Sequence, residues 1–234
     1  MITPEQNKEI TRYLVAKNLP IDLVLEVKDH MIEQIESMEN LCFEEAFEQV
    51  KISWKVEFIY KFSFSRLKML TNYEISIQKE NYSKIFLKTL CYFTPLLIIT
   101  LLLAYYNTSL YKFTIETVYY FCVIVTGTLL LINFKIQKTT FNTYSKRISL
   151  YQKGASNFLV GGLFILIYNV FIPNNDKDLV AIHKLLNFEI SFKILFHLLA
   201  TYVYIIWWLF GLLYFLAYKK SIKELQNRVN LKLR

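Results

Sequence analysis

The sequence predicts an all-α protein: a four-span transmembrane helical bundle with a small three-helix cytoplasmic N-terminal domain. Three observations lead to this fold class. The 234 residues are 54% hydrophobic and include only five glycines and four prolines, a composition that favours long helices. Four apolar stretches have lengths suited to crossing a bilayer. The first 60 residues are acidic, with 12 acidic and 6 basic residues, whereas the remainder of the chain is basic.

The first apolar stretch, residues 85–106, carries a single charge at Lys88. At a rise of about 1.5 Å per residue, roughly 20 apolar residues cross the hydrocarbon core of a bilayer. We therefore predict a span here, and a membrane domain that extends over residues 85–218. The other three predicted spans are residues 115–134, a shorter stretch at 158–172, and 194–218.

Basic residues are concentrated on one side of these spans. The loop 135–153 has five basic and no acidic residues, and the tail 219–234 has six basic residues and one acidic residue. The positive-inside rule then places the N-terminal domain, this loop and both termini in the cytoplasm. Usage rich in Lys, Ile, Phe and Asn suggests a bacterium, and hence its inner (cytoplasmic) membrane. Because the basic residues flank apolar spans, we expect membrane lipids rather than nucleic acid as partners.

The N-terminal domain, residues 1–60, reads as three short helices. Thr3 is a predicted N-cap, with Pro4 at the first helical position and Gln6 completing a capping box. This helix runs to about residue 17, a second covers about 21–39, and a third opens near residue 42. So short a domain buries little apolar surface, so we expect it to rest on the membrane region or on a partner. The basic, apolar linker 61–84 is typical of an amphipathic segment at the membrane interface.

One face of the second helix carries carboxylates at spacings of 4, 3, 4 and 3 residues. Like charges so placed cost about 0.2–0.5 kcal/mol per pair, so this face either tolerates repulsion in water or meets something basic. We consider a solvated face, a docking surface for a basic partner or for the chain's own basic loops, and a divalent-metal site at Asp29 and Glu33. The residues of this acidic stripe, our candidate partner-binding residues, are Asp22, Glu26, Asp29, Glu33 and Glu36.

Residues 19–54 also carry a longer pattern. A Glu-x-x-Asp-His helix is followed by a second amphipathic helix that opens near Glu-Glu-Ala. The matching residues are Glu26, Asp29, His30, Glu44, Glu45 and Ala46.

In these residues the segment resembles the HAAS-like helical N-terminal prefix of bacterial membrane proteins and permeases. Cys42 stands near the position where that pattern usually has a serine, and the glycine often found between its two helices is absent. The match covers 36 of the 234 residues. The resemblance implies a membrane protein with a regulatory or interaction domain, and it transfers no catalytic residues.

The sequence holds no recognisable reaction chemistry. Cys42, Cys91 and Cys122 are far apart, with no CxxC or Cys/His cluster, so neither a disulfide framework nor a zinc site is predicted. No GxSxG, HExxH, Walker loop or dinucleotide fingerprint occurs. We therefore expect a protein that is not an enzyme and that needs no cofactor or metal. An intramembrane enzyme with residues distant in sequence stays an open alternative.

Inside the spans the notable residues are small or helix-distorting. Pro95 is expected to kink the first span. The remaining candidates permit close helix approach or a hydrogen bond between helices. These candidate interhelical packing residues are Pro95, Gly127, Gly161, Gly162 and Asn169.

Three functional hypotheses follow. The leading one is a non-enzymatic accessory or regulatory subunit of a larger inner-membrane complex for transport, secretion or translocation, contacted through the N-terminal domain. The second is a standalone membrane sensor or regulator. The third is a small transporter or lipid-handling enzyme, which requires a polar cavity among the spans near Glu116, Asn169 or His197. The absence of Asp, Glu and Arg from the span cores counts against transport.

Overall fold

A computed structural model of the chain describes residues 2–63, 68–133, 148–158, 162, 175–187 and 192–229. Of these residues 81% are helical, which confirms a mostly helical fold. The elements in order are α1 (Pro4–Ala16), α2 (Ile21–Glu36), α3 (Phe43–Ser53), β1 (Tyr60–Ser63), β2 (Lys68–Thr71), α4 (Asn72–Tyr106), α5 (Thr108–Ile132), α6 (Gln152–Asn157), α7 (Asn175–Leu186) and α8 (Phe192–Val229).

The described residues fall into two compact units. The head unit takes its residues from Met1–Ser83, Asn142–Gln152 and Lys220–Arg234. The membrane unit takes its residues from Lys84–Phe141 and Lys153–Lys219. The head unit is therefore larger than the first 60 residues, because a short central segment and the end of the last helix join it.

The head unit begins with the predicted helix cap. The Thr3 hydroxyl accepts a hydrogen bond from the amide of Gln6, and the Gln6 side chain accepts one from the amide of Thr3. Asn18, which adopts a positive φ of 51°, follows the end of α1. The head unit has one apolar core. Helices α1, α2 and α3 contribute to it, together with the segment after α3 and Leu150. Its buried residues are Ile10, Leu14, Leu19, Leu23, Val24, Val27, Met31, Ile35, Ala46, Phe47, Val50, Phe58 and Leu150.

The predicted amphipathic linker 61–84 instead contains a β-hairpin and the first turns of α4. Strands β1 and β2 pair antiparallel, with Phe62 opposite Met69. Thr71 then caps α4: its hydroxyl accepts a hydrogen bond from the amide of Glu74, and the Glu74 carboxylate accepts hydrogen bonds from the amide and hydroxyl of Thr71. A two-stranded hairpin that the sequence did not predict therefore lies within the mostly helical fold. The Thr-x-x-Glu pattern at 71–74 was the overlooked sign that a helix starts here.

Three described helices are long and apolar enough to cross a membrane: Asn72–Tyr106, Thr108–Ile132 and Tyr202–Arg228 within α8. In their most apolar windows only 22%, 22% and 39% of the residues are buried. Apolar side chains this exposed suit contact with lipid rather than the core of a water-soluble domain. The α4 helix of 35 residues is about 52 Å long, so it exceeds the roughly 30 Å that the hydrocarbon core requires.

One expectation about the membrane region changes and another is not tested. The predicted spans 85–106 and 115–134 leave residues 107–114 between them, but α5 begins at Thr108, and Asn107 alone separates it from α4. The Asn107 side chain accepts a hydrogen bond from the amide of Leu110, which lets one residue end one helix and cap the next. The predicted span 158–172 lies outside the described residues except for Phe158 and Gly162.

Within the membrane unit, α8 contacts the earlier helices through aromatic and small residues. Trp208 donates a hydrogen bond of 2.8 Å to the Thr126 hydroxyl on α5. The Tyr202 and Thr100 hydroxyls lie 3.0 Å apart, which joins α8 to α4. Gly211 packs so closely on Phe158 that an added Cβ would lie 2.2 Å from the ring and 2.9 Å from the Phe158 Cβ.

This contact predicts that Gly211→Ala destabilises the membrane unit by about 1–3 kcal/mol, the usual range for overpacking. The Phe158 Cβ cannot rotate away, since it lies next to the backbone. We expect a lower apparent unfolding temperature for the full chain in detergent, measured by circular dichroism.

Gly127→Ala is the matched control, because no described atom lies within 4 Å of its added Cβ. It should leave the unfolding temperature unchanged or raise it, as alanine is the better helix former by about 1 kcal/mol. Equal destabilisation by both variants would contradict the packing assigned to Gly211.

Candidate functional site in the head unit

The acidic stripe is not one uniform face. Asp22, at the start of α2, is partly buried, whereas the other four members of the stripe are exposed. Their contacts also differ. Glu26 accepts a hydrogen bond from the Tyr73 hydroxyl at 3.3 Å, Glu33 lies 3.9 Å from His30, and Glu36 accepts one from the amide of Ile2.

Asp22 is the polar centre of the head unit. One of its carboxylate oxygens accepts a hydrogen bond from the amide of Leu150 at 3.0 Å and another from the Ser221 hydroxyl at 3.2 Å. The second oxygen accepts a hydrogen bond from the amide of Leu23. The Ser221 and Ser149 hydroxyls lie 3.0 Å apart. One carboxylate thus ties α2 to the segment 148–152 and to the C-terminal end of α8.

The donors to Asp22 are neutral, and this determines its electrostatics. Burial raises the pKa of Asp22 above its ordinary value of 3.8, while hydrogen bonds from Ser149, Leu150, Leu23 and Ser221 offset part of that rise. Desolvation disfavours the charged form of a carboxyl group, and hydrogen bonds to the carboxylate favour it.

Asp29 makes the other contact between the stripe and α8. The Arg228 guanidinium donates a hydrogen bond of 2.7 Å to its carboxylate. Both side chains are more than half exposed, so solvent screening limits the pair to about 0–1 kcal/mol. A contact with the chain's own basic residues, one of the alternatives for the stripe, is therefore observed at this pair.

An open cavity of about 320 Å³ lies beside these contacts. Its walls come from α2, the start of α4, the segment at residue 150 and the end of α8. The lining residues are Asp22, Leu23, Leu25, Glu26, Ile77, Asn81, Leu150, Tyr151, Ser221, Glu224, Leu225 and Arg228.

The pKa of Tyr151 reflects the carboxylates around this cavity. Burial raises the pKa of its phenol, and the carboxylates of Asp22, Glu26 and Glu224 raise it further, against a hydrogen bond with Asn81 that lowers it. The cavity therefore gathers carboxylates around a polar ring, between aliphatic walls. Such an arrangement can bind a small molecule that carries positive charge.

The sequence placed Asp22 and Glu26 on the stripe but missed the rest of the cavity. Ser221, Glu224 and Arg228 belong to what read as a basic tail, and Tyr151 to what read as a basic loop. Nothing local in the sequence joins these segments to α2. The opposite charges of the stripe and the tail were the one available signal.

The other predicted residues have separate outcomes. Pro95 lies inside the continuous helix α4. No described atom lies within 4 Å of the position that a Cβ added to Gly127 would take. A Cβ at Gly162 would meet only the Phe158 ring, at 3.5 Å. Gly161 and Asn169 lie outside the described residues. The close glycine contacts occur instead at Gly211 and at a second position, Gly154, which packs on Tyr214.

Metal binding was one alternative for Asp29 and Glu33. Within the described parts of the chain, no group of three or more His, Cys, Asp or Glu side chains is arranged to hold a metal ion. The Asp29 carboxylate instead binds the Arg228 guanidinium.

Comparison of the chain with protein-family models, with curated proteins and with solved structures gives no match.

The partly buried carboxyl group of Asp22 predicts a pH dependence of stability. Because its pKa is raised in the folded chain, the folded state binds the Asp22 proton more tightly than the unfolded state. This contribution to stability is present below the ordinary value of 3.8 and is lost as the pH rises through the folded pKa. The apparent unfolding temperature of the wild type should therefore fall relative to that of Asp22→Asn as the pH rises from 3.8.

The measurement is a series of thermal unfolding curves for the full chain in detergent at increasing pH. Glu33→Gln is the control, since this side chain is 83% exposed and should give a curve parallel to the wild type. A constant difference between wild type and Asp22→Asn at every pH would refute the assignment.

Proposed function

We propose that the chain is a non-enzymatic accessory or regulatory subunit of a larger bacterial inner-membrane complex, of the kind that transports, secretes or translocates. It crosses the membrane four times, keeps both termini in the cytoplasm and contacts its partner through the head unit. The HAAS-like resemblance of residues 19–54 fits a domain of this regulatory or interaction type.

The observation that carries this proposal is an apolar surface on the head unit. Ile52, at the end of α3, and Val56, in the turns after it, are 69% and 62% exposed, and Ile59, just before β1, is 49% exposed. On the hairpin that comes next in the chain, Phe62 and Met69 are opposite one another and are 50% and 52% exposed. We call these five residues the apolar head surface. Large exposed apolar side chains that follow one another closely along the chain favour a protein-interaction surface.

The acidic stripe supports the proposal only in part. Asp22 and Asp29 bind the chain's own C-terminal helix, so a basic partner has no access to them without displacing that helix. Docking through the stripe therefore narrows to its other three members, Glu26, Glu33 and Glu36.

The contacts of Asp22 and Asp29 also support four spans. They hold the end of α8 in the same unit as α2 and the start of α4. A chain that leaves and rejoins one folded unit crosses the membrane an even number of times. Three described helices qualify as spans, so an even count requires one more, and residues 158–172 are the remaining apolar stretch.

A standalone sensor or regulator is the second candidate. The observation in its favour is α8, a single helix that contributes residues to both units. A ligand or lipid that shifted this helix would act on both. The transporter or lipid-enzyme hypothesis stays a prediction, since Asn169 and the side chain of His197 lie outside the described residues.

The double substitution Ile52→Ser/Val56→Ser tests the apolar head surface. Loss of two exposed anchors should weaken partner binding by at least about tenfold, because a few apolar residues carry most of the affinity of an interface. The measurement is quantitative mass spectrometry of the complex purified in mild detergent at natural expression.

Leu41→Ser is the matched control, because Leu41 is an exposed apolar residue at the opposite end of α3. It should leave the partner yield unchanged. A wild-type protein that purifies alone would overturn the subunit role, and equal yields from all three proteins would overturn the apolar head surface as the contact.

Cysteine labelling tests the orientation. Cys42 is exposed in the head unit, so a membrane-impermeant maleimide should label it only after the membrane is opened. In a Cys42→Ser background, Ser109→Cys lies just after the α4–α5 junction and should be labelled in intact cells, since the reaction needs a water-exposed thiol. The reverse pattern would contradict cytoplasmic termini.

A further inference from the structure

The head-unit cavity combines aliphatic walls with carboxylates from two different helices. We propose that it binds a protonated aliphatic amine, an organic cation with two or more ammonium groups on a short alkyl chain. This inference does not depend on the partner contact proposed above, because the cavity and the apolar head surface share no residue.

The size and the walls of the cavity select a short alkyl body. Its volume of about 320 Å³ is at the lower end of small-molecule sites, which span about 300–1,000 Å³. Leu25, Ile77 and Leu225 line it from three separate helices. Methylene groups placed against them are removed from water, which is favourable.

The charges select a cation. Asp22 and Glu26 are one turn apart on α2, and Glu224, whose carboxylate lies 3.8 Å from the Lys220 ammonium, lines the cavity from α8. Among the lining residues that the structure describes, Arg228 is the one guanidinium, and Asp29 already binds it. An anionic ligand would face excess negative charge, whereas ammonium groups at both ends of a chain would meet a carboxylate on each helix.

The hydrogen-bonding groups select an amine with N–H donors. The three carboxylates and the Asn81 side chain present oxygen acceptors that a primary or secondary ammonium can satisfy. Tyr151 supplies the one aromatic ring of the lining, whereas a site for quaternary ammonium needs a cage of rings. No triad of metal-ligating side chains lies among the residues that the structure describes, so a bare divalent cation is the poorer occupant.

Isothermal titration of the full chain in dodecyl maltoside tests the proposal, with cadaverine (1,5-diaminopentane) as the probe. We expect one saturable site at about 50 mM salt, where screening is modest. The double variant Glu26→Gln/Glu224→Gln should bind at least about tenfold more weakly. Choline should also bind at least about tenfold more weakly than cadaverine, and 1,5-pentanediol should show no saturable binding.

The control is Glu33→Gln/Glu36→Gln, which removes the same number of negative charges, both from α2 outside the cavity, and should change the affinity by less than about twofold. Equal loss in both double variants would reduce the effect to surface charge and overturn the site. Absence of saturable cadaverine binding, or equal binding of the diol or of choline, would overturn it as well. If Glu26→Gln/Glu224→Gln unfolds at a lower temperature than wild type, Glu224→Gln alone, an exposed position, carries the test.

Discussion

The constraint on which the rest of this structure depends is the bilayer's exclusion of unpaired backbone groups and charges. It requires continuous helices of about 20 apolar residues, and α4, α5 and α8 each contain such a stretch. Some polar side-chain atoms on these helices are paired with one another. Trp208 and Tyr202 point their polar atoms at the hydroxyls of Thr126 and Thr100, because a polar atom within the hydrocarbon is costly without a partner.

Two of these helices, α4 and α8, also contribute residues to the head unit, in which Asp22 accepts hydrogen bonds from the segment 148–152 and from α8. Three short helices bury too little apolar surface to be stable alone. The head unit buries further apolar surface through Leu150, the start of α4 and the end of α8. Asp22 fixes how these segments meet α2, because it accepts hydrogen bonds from the Leu150 amide and the Ser221 hydroxyl.

This construction links the two proposals without merging them. The segments that complete the head also wall the cavity, whereas the apolar head surface lies on α3, the turns after it and the hairpin. A ligand that bridged α2 and α8 would stabilise the closed arrangement around Asp22 by mass action. A partner on the apolar head surface would contact different residues, so ligand and partner can be bound at the same time.

The sequence by itself determined the spans of α4, α5 and α8, the cap at Thr3 and the amphipathic helices of the head, because hydropathy, capping and helical periodicity are local. The hairpin was missed because its strands are only four residues each and its apolar residues also fit an interfacial helix. Only the tertiary structure decided that Asp22 and Asp29 contact α8, that Glu224 and Tyr151 share a cavity with Asp22, and that Gly211 rather than Gly127 is a close contact. These depend on which distant segments meet, and residues 199 positions apart leave no pairing signal in the periodicity of either segment.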